Sequence, residues 1–270
     1  MASHRTFVPL ALVLTSCSQG RLDVVGLAPN SLRQDMVAYW SCDNLKDGML
    51  LDDSGHTNDG TILGATPTPG RFGNALHFES GNSVVWGGTF SEATPSWSVA
   101  LWARPGAWAS SPPASGSGSD PNNPDTYVTL ISTEIPKTGG WEMDVWFPGS
   151  HFEPQIWKYN FAYPNPVDAM PWHYEYAEAS GVEAGLWTHV VAVVDDSAKQ
   201  ILFYENGVQS EANAVANLIL PGNDALYLGT WSQGGRYFVG DLDDIVIYQR
   251  ALTAAEVVSL YTQPAPSVPR

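Results

Sequence analysis

The stretch GDLDDIVIYQRALTAAEVVSLY, from Gly240 to Tyr261, limits what this chain can fold into more than any other segment. It reads as a strand carrying an Asp pair, a short turn, and a helix of one to two turns. Side chains alternate across a strand, so Ile245 and Ile247 share one face and Val246 and Tyr248 the other. Thr253 and Glu256 have the spacing of a capping box, in which each side chain satisfies a backbone N–H left open at the helix start. Val257, Val258 and Tyr261 then give the helix an apolar side.

The same period-two pattern recurs along the chain. Strands are expected at Met36–Cys42, Thr61–Leu63, Ala75–Phe78, Ser83–Trp86, Trp97–Arg104, Tyr127–Thr133, Trp141–Phe147 and Gln155–Phe161. Further strands are expected at Trp187–Asp195, Lys199–Tyr204, Ala225–Thr230 and Tyr237–Tyr248. Asn206-Gly207 is the dipeptide favoured where a hairpin needs two positive φ angles. Short strands separated by turns indicate an all-β antiparallel sandwich with a short C-terminal helix. Hydrophobic residues make up 44% of the 270, enough for one continuous core. Two stretches interrupt the cadence. Residues 106–125 have the Gly, Ser, Pro and Asn content of a surface loop, and residues 147–185 form a longer insertion rich in aromatic and acidic side chains.

Four spaced motifs carry a family resemblance: AYWSCDN followed by LDDSGHTNDGTILG within 38–64, GRFGNALHFES at 70–80, WTHVVAVVDD through LFYENG at 187–207, and the closing strand and helix. In this order they resemble the laminin-G-like jelly rolls of the concanavalin A-like lectin/glucanase superfamily, from about Met36 to Tyr261. The resemblance implies a jelly roll of 36–262, followed by a disordered tail at 263–270. It leaves the ligand open, because this fold hosts many functions.

Ahead of the domain, His4 and Arg5 precede an apolar run from Phe7 to Leu14, which reads as a secretion signal over residues 1–16. That run is too short to cross a hydrocarbon core of roughly 30 Å as a helix. Leu14-Thr15-Ser16-Cys17 resembles a bacterial lipobox, which implies a lipid on Cys17 and a bilayer contact through that anchor alone. Ser18 after the Cys resembles the sorting signal for the outer membrane. Residues 17–35 then read as a flexible tether, reaching roughly 20–25 Å from Ser18 onward. With Cys17 acylated, Cys42 has no disulfide partner and is expected to be a buried small apolar residue.

The formal charge is −16, from 12 basic and 28 acidic residues, which argues against a nucleic-acid partner. Carboxylates also gather around Ca²⁺, which takes six to eight oxygen ligands. Asp43, Asp52, Asn58, Asp243 and Asp244 are the candidate ligands. Similar loops in the family approach the end of the final strand, where an Asp completes a structural Ca²⁺ site. Asp243 shares strand parity with Ile245, and an inward carboxylate without a cation or donors is costly. Asp244 is the alternative, and Asx turns with N–H bonds could account for all five residues without a metal.

Glu142, Asp144 and Trp146 alternate onto one face and partly resemble the E-x-D-x-E strand of retaining glucanases. Trp146 stands where the second Glu is required, so one of the two carboxylates of that chemistry is missing. His189 lies in a shared strand and reads as packed rather than catalytic. No G-x-S-x-G, C-x-x-C, H-E-x-x-H or P-loop motif is present. The reading is an anchored recognition module of the bacterial envelope that binds a polysaccharide or glycoprotein. Trp157, Trp172, Tyr174 and Trp231 are candidates for stacking on sugar rings. The rival readings are a module that binds a surface protein without a sugar site, and a glycan-cleaving enzyme.

Overall fold

Alternating apolar residues become paired strands in the computed structural model, which describes residues 31–87, 95–110, 126–133, 140–147, 158–164, 174–179, 181–214 and 225–267. In chain order the strands are β1 Met36–Trp40, β2 Leu45–Lys46, β3 Met49–Leu50, β4 Gly60–Leu63, β5 Thr66–Pro69 and β6 Asn74–Phe78. Next come β7 Ser83–Trp86, β8 Trp97–Pro105, β9 Thr126–Ser132, β10 Glu142–Phe147, β11 Lys158–Pro164 and β12 Tyr174–Ala179. The series closes with β13 Thr188–Asp195, β14 Gln200–Glu205, β15 Val208–Ala214, β16 Leu226–Leu228, β17 Gly240–Tyr248 and the helix α1 Ala254–Thr262. One sheet has the order β15-β14-β13-β8-β17-β6-β5, with β1 also pairing to β17. The other has the order β12-β11-β10-β9-β16-β7-β4-β3-β2. We call them the first and second sheets.

The two sheets face each other across one apolar core. Val99, Leu101 and Ala103 of β8 meet Leu130 of β9, Met143 and Val145 of β10 and Phe161 of β11 within a single cluster. The rings of Trp97, Trp141 and Phe161 pack there with centroids 4.8–6.1 Å apart, the range favoured by tilted aromatic contacts. The central strand β17 is buried on both sides. Ile245 and Ile247 join the inter-sheet core, whereas Val246 and Tyr248 join a second cluster with Leu252, Val257 and Leu260 beneath α1. The closing helix therefore roofs the outer face of the first sheet. Each Val or Leu so buried contributes about 1.5–3 kcal/mol relative to exposure.

Local chemistry agrees with this role. Thr253 Oγ1 accepts from Glu256 N at 3.3 Å, and Glu256 Oε2 accepts from Thr253 N at 2.9 Å. Arg250 donates to both Glu256 carboxylate oxygens at 2.8 and 2.9 Å and to Ser31 O at 2.8 Å. Asn206 and Gly207 adopt φ +50 and +79 and close the β14–β15 hairpin in two residues.

Three sequence readings differ from the structure. Residues 31–35, read as the end of a tether, belong to the packed unit. Ser31–Arg33 forms a 3-10 turn that buries Leu32, and Tyr248 Oη donates to Leu32 O at 3.0 Å. Ala265, read as part of a disordered tail, is buried in the second cluster. The insertion 147–185 holds β11, which overlaps the strand expected at Gln155–Phe161, and β12, which was not expected; both extend the second sheet and place Tyr159, Phe161, Ala177 and Ala179 in the core. Polar edge strands were missed: β5 reads TPTP without an apolar face, and the alternate face of β15, VQSEANA, carries only Val208, Ser210 and two alanines.

Candidate functional site

The acidic residues cluster where β1, the 52–58 loop, the 70–74 turn and β17 meet, and hydrogen bonds divide them into two groups. Asp52 and Asn58 fasten their own loop. Asp52 Oδ1 accepts from Tyr39 N and Ser54 N, each at 2.9 Å, while Oδ2 accepts from Ser54 Oγ at 2.7 Å and Asn58 N at 2.9 Å. Asn58 Nδ2 donates to Val37 O at 2.7 Å, and its own carbonyl accepts from Trp40 Nε1 at 2.9 Å. These are the Asx-turn contacts that need no metal.

Asp43, Asp243 and Asp244 form the other group. Asp243 Oδ2 accepts from Arg71 N at 2.7 Å and Phe72 N at 3.1 Å, and Oδ1 accepts from Asp244 N at 2.8 Å. Asp43 Oδ1 accepts from Asn74 N at 2.7 Å and Nδ2 at 3.0 Å. The Gly70–Gly73 turn is thus pinned by two carboxylates, and this explains its glycines. A Cβ on Gly70 would lie 2.5 Å from Asp243 Oδ2, and one on Gly73, at φ +61, would collide with Asp43. At Asp244 a bulge interrupts the pairing of β17 with β8, with φ +46. Asp244 Oδ1 accepts from Tyr39 Oη, whereas its buried Oδ2 has no hydrogen-bond partner.

Burial first, opposed by its backbone N–H bonds, pushes Asp243 up to about 7. Burial, followed by the charge of Asp243, pushes Asp244 up to about 8. Burial and the same carboxylates raise the Cys42 thiol well above its usual range. A buried, partnerless carboxylate oxygen among other carboxylates suits a hard cation, which prefers oxygen ligands. Among the described residues, however, no three His, Cys, Asp or Glu side chains converge as a metal-holding set. A cation at Asp244 would therefore draw part of its shell from carbonyls and water.

A second cluster of polar and aromatic residues lies on the outer side of the second sheet, with Glu142, Asp144, Thr129 and Asn160 buried. Met143, Val145 and Phe147 point into the core, which leaves Glu142, Asp144 and Trp146 of β10 on the outer side. Register aligns them with neighbours in rows. Trp146 lies between Tyr127 of β9 and Lys158 of β11, and Asp144 lies between Thr129 and Asn160, with Glu178 of β12 beyond. The Tyr127 and Trp146 rings stack at 6.2 Å with planes 15° apart, and Lys158 Nζ sits 5.3 Å from the Trp146 centroid. Lys158 Nζ also pairs with Glu178 at 3.0 Å. Arg236 is held between two rings, 4.9 Å from Tyr127 and 4.5 Å from Trp231, and its Nη1 donates to both Glu142 oxygens at 3.1 and 3.2 Å.

Of the sequence-predicted aromatic candidates, Trp231 is on this platform. Trp157 and Trp172 lie outside the described residues. Tyr174 opens β12, and its side chain is also outside them. Cys17 lies outside as well. Sequence reading missed Tyr127, Thr129, Lys158, Asn160 and Arg236. The polar alternation in TYVTLIS and KYNFAYP was a usable signal for the first four. Nothing local marks Arg236, which arrives from a loop. Glu142, two rows along β10 from Trp146, is ion-paired with Arg236. His189 is packed against Trp102 with centroids 5.1 Å apart, and burial pushes it down to about 3.

Two antiparallel sheets packed on one core, closed by a short C-terminal helix, define the class of jelly-roll sandwiches. The model of the concanavalin A-like lectin/glucanases superfamily matches residues 78–258, and the chain belongs to that superfamily. Among solved structures, domain 4 of AbnA, a GH43 extracellular arabinanase from Geobacillus stearothermophilus in complex with arabinotriose, is 19% identical with a TM-score of 0.58. The match covers 84% of this chain and 98% of that one. The binding domain of Paraclostridial Mosquitocidal Protein 1 is 15% identical with a TM-score of 0.62, over 86% of this chain and 52% of that one. The binding domain of Botulinum neurotoxin DC in complex with rat synaptotagmin II is also 15% identical, with a TM-score of 0.59 over 86% and 52%. The chain thus spans about half the length of these toxin domains. At such identities the likeness concerns the fold. Among the described residues no helix is long and apolar enough to cross a membrane.

Proposed function

We propose that this protein is a recognition module that binds a polysaccharide or glycoprotein on the outer face of its second sheet. The observation that carries this reading is the platform of half-buried rings, Tyr127, Trp146 and Trp231, set beside ion-paired Arg236, Glu142, Lys158 and Glu178. Aromatic faces suit the apolar faces of sugar rings, and nearby polar groups orient hydroxyls. The arabinotriose complex of the similar arabinanase domain supports the same class of ligand. In this proposal Ca²⁺ binds Asp244 Oδ2 near Asp43 and Asp243 and has a structural role. Cys17 carries the lipid that tethers the domain to the bacterial envelope.

A second reading, protein recognition, is supported by the similar toxin domain in complex with synaptotagmin. A glycan array followed by calorimetry on the full chain and on Trp146→Ala separates the two. Saccharide binding by the parent, lost by at least tenfold in the variant, supports the first. An array without any hit, together with capture of a deglycosylated surface protein, supports the second.

A further inference from the structure

Past the C-terminal end of α1, the outer side of the first sheet carries a row of polar and aromatic side chains. Leu76 and Phe78 of β6, Ala103 of β8 and Leu242 of β17 belong to the inter-sheet core, so His77, Arg104 and Asp241 point outward. Register sets Asp241 between His77 and Arg104. Asp241 Oδ2 accepts from Arg104 Nε at 2.6 Å, and its Oδ1 lies 2.7 Å from His77 Nδ1. The Asp241 side chain is 8% exposed, against 31% for Arg104 and 39% for His77, so the carboxylate is held at the base while its two partners reach the surface. Arg104 also stacks on half-buried Trp187, 4.8 Å from the ring centroid. Two residues back along β8, the Trp102 ring is capped by exposed Arg71, whose guanidinium lies 4.7 Å from its centroid and 5.1 Å from that of Phe72. Tyr261 of α1 stacks on the same indole at 5.5 Å.

Stacking holds a guanidinium flat without using its in-plane N–H groups. Among the described residues no acceptor is bonded to the Arg71 guanidinium, and Arg104 commits only its Nε, whereas Arg250 gives both Nη groups to Glu256. The carboxylates beside the 70–74 turn are bonded elsewhere: Asp243 to the backbone N–H groups of Arg71, Phe72 and Asp244, and Asp43 to Asn74. On a chain of net charge −16, two partly exposed arginines with spare donors are a local exception. Same-face rows along a strand are about 6.6 Å apart, so the Arg71–Trp102 and Arg104–Trp187 rows together span a short saccharide. The guanidinium fork suits a planar carboxylate, and the half-buried rings of Phe72, Trp187 and Tyr261 suit the apolar side of a sugar. We propose that these rows form a second binding site, independent of the second sheet, that takes an acidic saccharide by its carboxylate, with Arg71 and Arg104 as the residues that recognise the anion.

The test is calorimetry on the full chain at low and at physiological salt, with oligogalacturonate and sialyllactose, their neutral counterparts and inorganic phosphate, repeated on Arg71→Gln and Arg71→Lys. The expected result is binding of a carboxylated saccharide that weakens with salt and falls about tenfold or more in Arg71→Gln, with a melting temperature close to the parent's. Arg71→Lys keeps the charge and an aliphatic stem over Trp102 but loses the fork, so its binding should fall as well. It carries the test if Arg71→Gln melts early. Neutral saccharides or phosphate binding as tightly as the carboxylated ones would overturn the proposal. So would a parent that binds none of these probes, or variants that bind like the parent. Early melting of both variants would also overturn it, by making Arg71 a structural cover for Trp102.

Discussion

Asp243 and Asp244 make the same demand on the fold as pH changes. Their folded values, about 7 and about 8, lie above the ordinary carboxylate value of 3.8 that the unfolded chain retains. The folded state therefore holds protons that the unfolded state has released. The stabilisation is full below about pH 4 and is lost as pH rises through 7 to 8, at about 1.4 kcal/mol per unit of difference. Thermal melts in chelator are expected to show this decline, and Asp244→Asn to flatten most of it. Ca²⁺ binds the carboxylate form, so its stabilisation should grow over the same window, reaching about 2.7 kcal/mol at a hundredfold excess over Kd. Melts that are unaffected by Ca²⁺ at pH 8 would remove the metal from this cluster. Gly207 makes a separate demand. Its φ of +79 is unfavourable for a β-branched residue, and a Cβ there would lie 3.2 Å from the Tyr261 ring. Gly207→Val should destabilise by about 1–3 kcal/mol, read as a lower denaturation midpoint.

At the scale of elements, the insertion is the segment whose meaning changed most. In sequence it is an insertion rich in aromatic and acidic side chains, with one strand expected at Gln155–Phe161. In the structure β11 and β12 are the last strands of the second sheet, and Tyr159 and Phe161 are fully buried. Replacing residues 148–184 with a short Gly/Ser turn should therefore unfold the domain rather than merely silence it, with loss of the cooperative melt and of the β-sheet dichroism. Deletion of two core aromatics alone costs about 3–5 kcal/mol each, against typical domain stabilities of 5–15 kcal/mol. A truncated chain with an unchanged melt would show that β11 and β12 are dispensable. β17 and α1, by contrast, were legible in detail. Their apolar pattern, capping box and Asp pair are local signals, and local signals survive in sequence.

At the scale of the molecule, two sheets share one core, the helix and residues 31–35 cover the outside of the first sheet, and the outer side of the second sheet carries the aromatic and ion-paired cluster proposed for recognition. The proposed anchor belongs to this scale. Cys17→Ser is expected to move the protein from the membrane fraction to the soluble one, and mass spectrometry of the mature chain should find the lipid on Cys17. An unmodified Cys17 would sink the envelope tether and leave the proposed binding face to its own test. The sequence by itself determined the all-β sandwich, the hairpin at Asn206-Gly207 and the capped helix. Each of these follows from spacing over a few residues, where period, turn conformation and capping act locally. Only the tertiary structure decided that Arg236 reaches Glu142 between Tyr127 and Trp231, and that Asp52 serves its own loop while Asp244 is left with an unpaired oxygen. Those arrangements join residues about 90 to 200 positions apart, and strand pairing, which no local pattern encodes, brings them together.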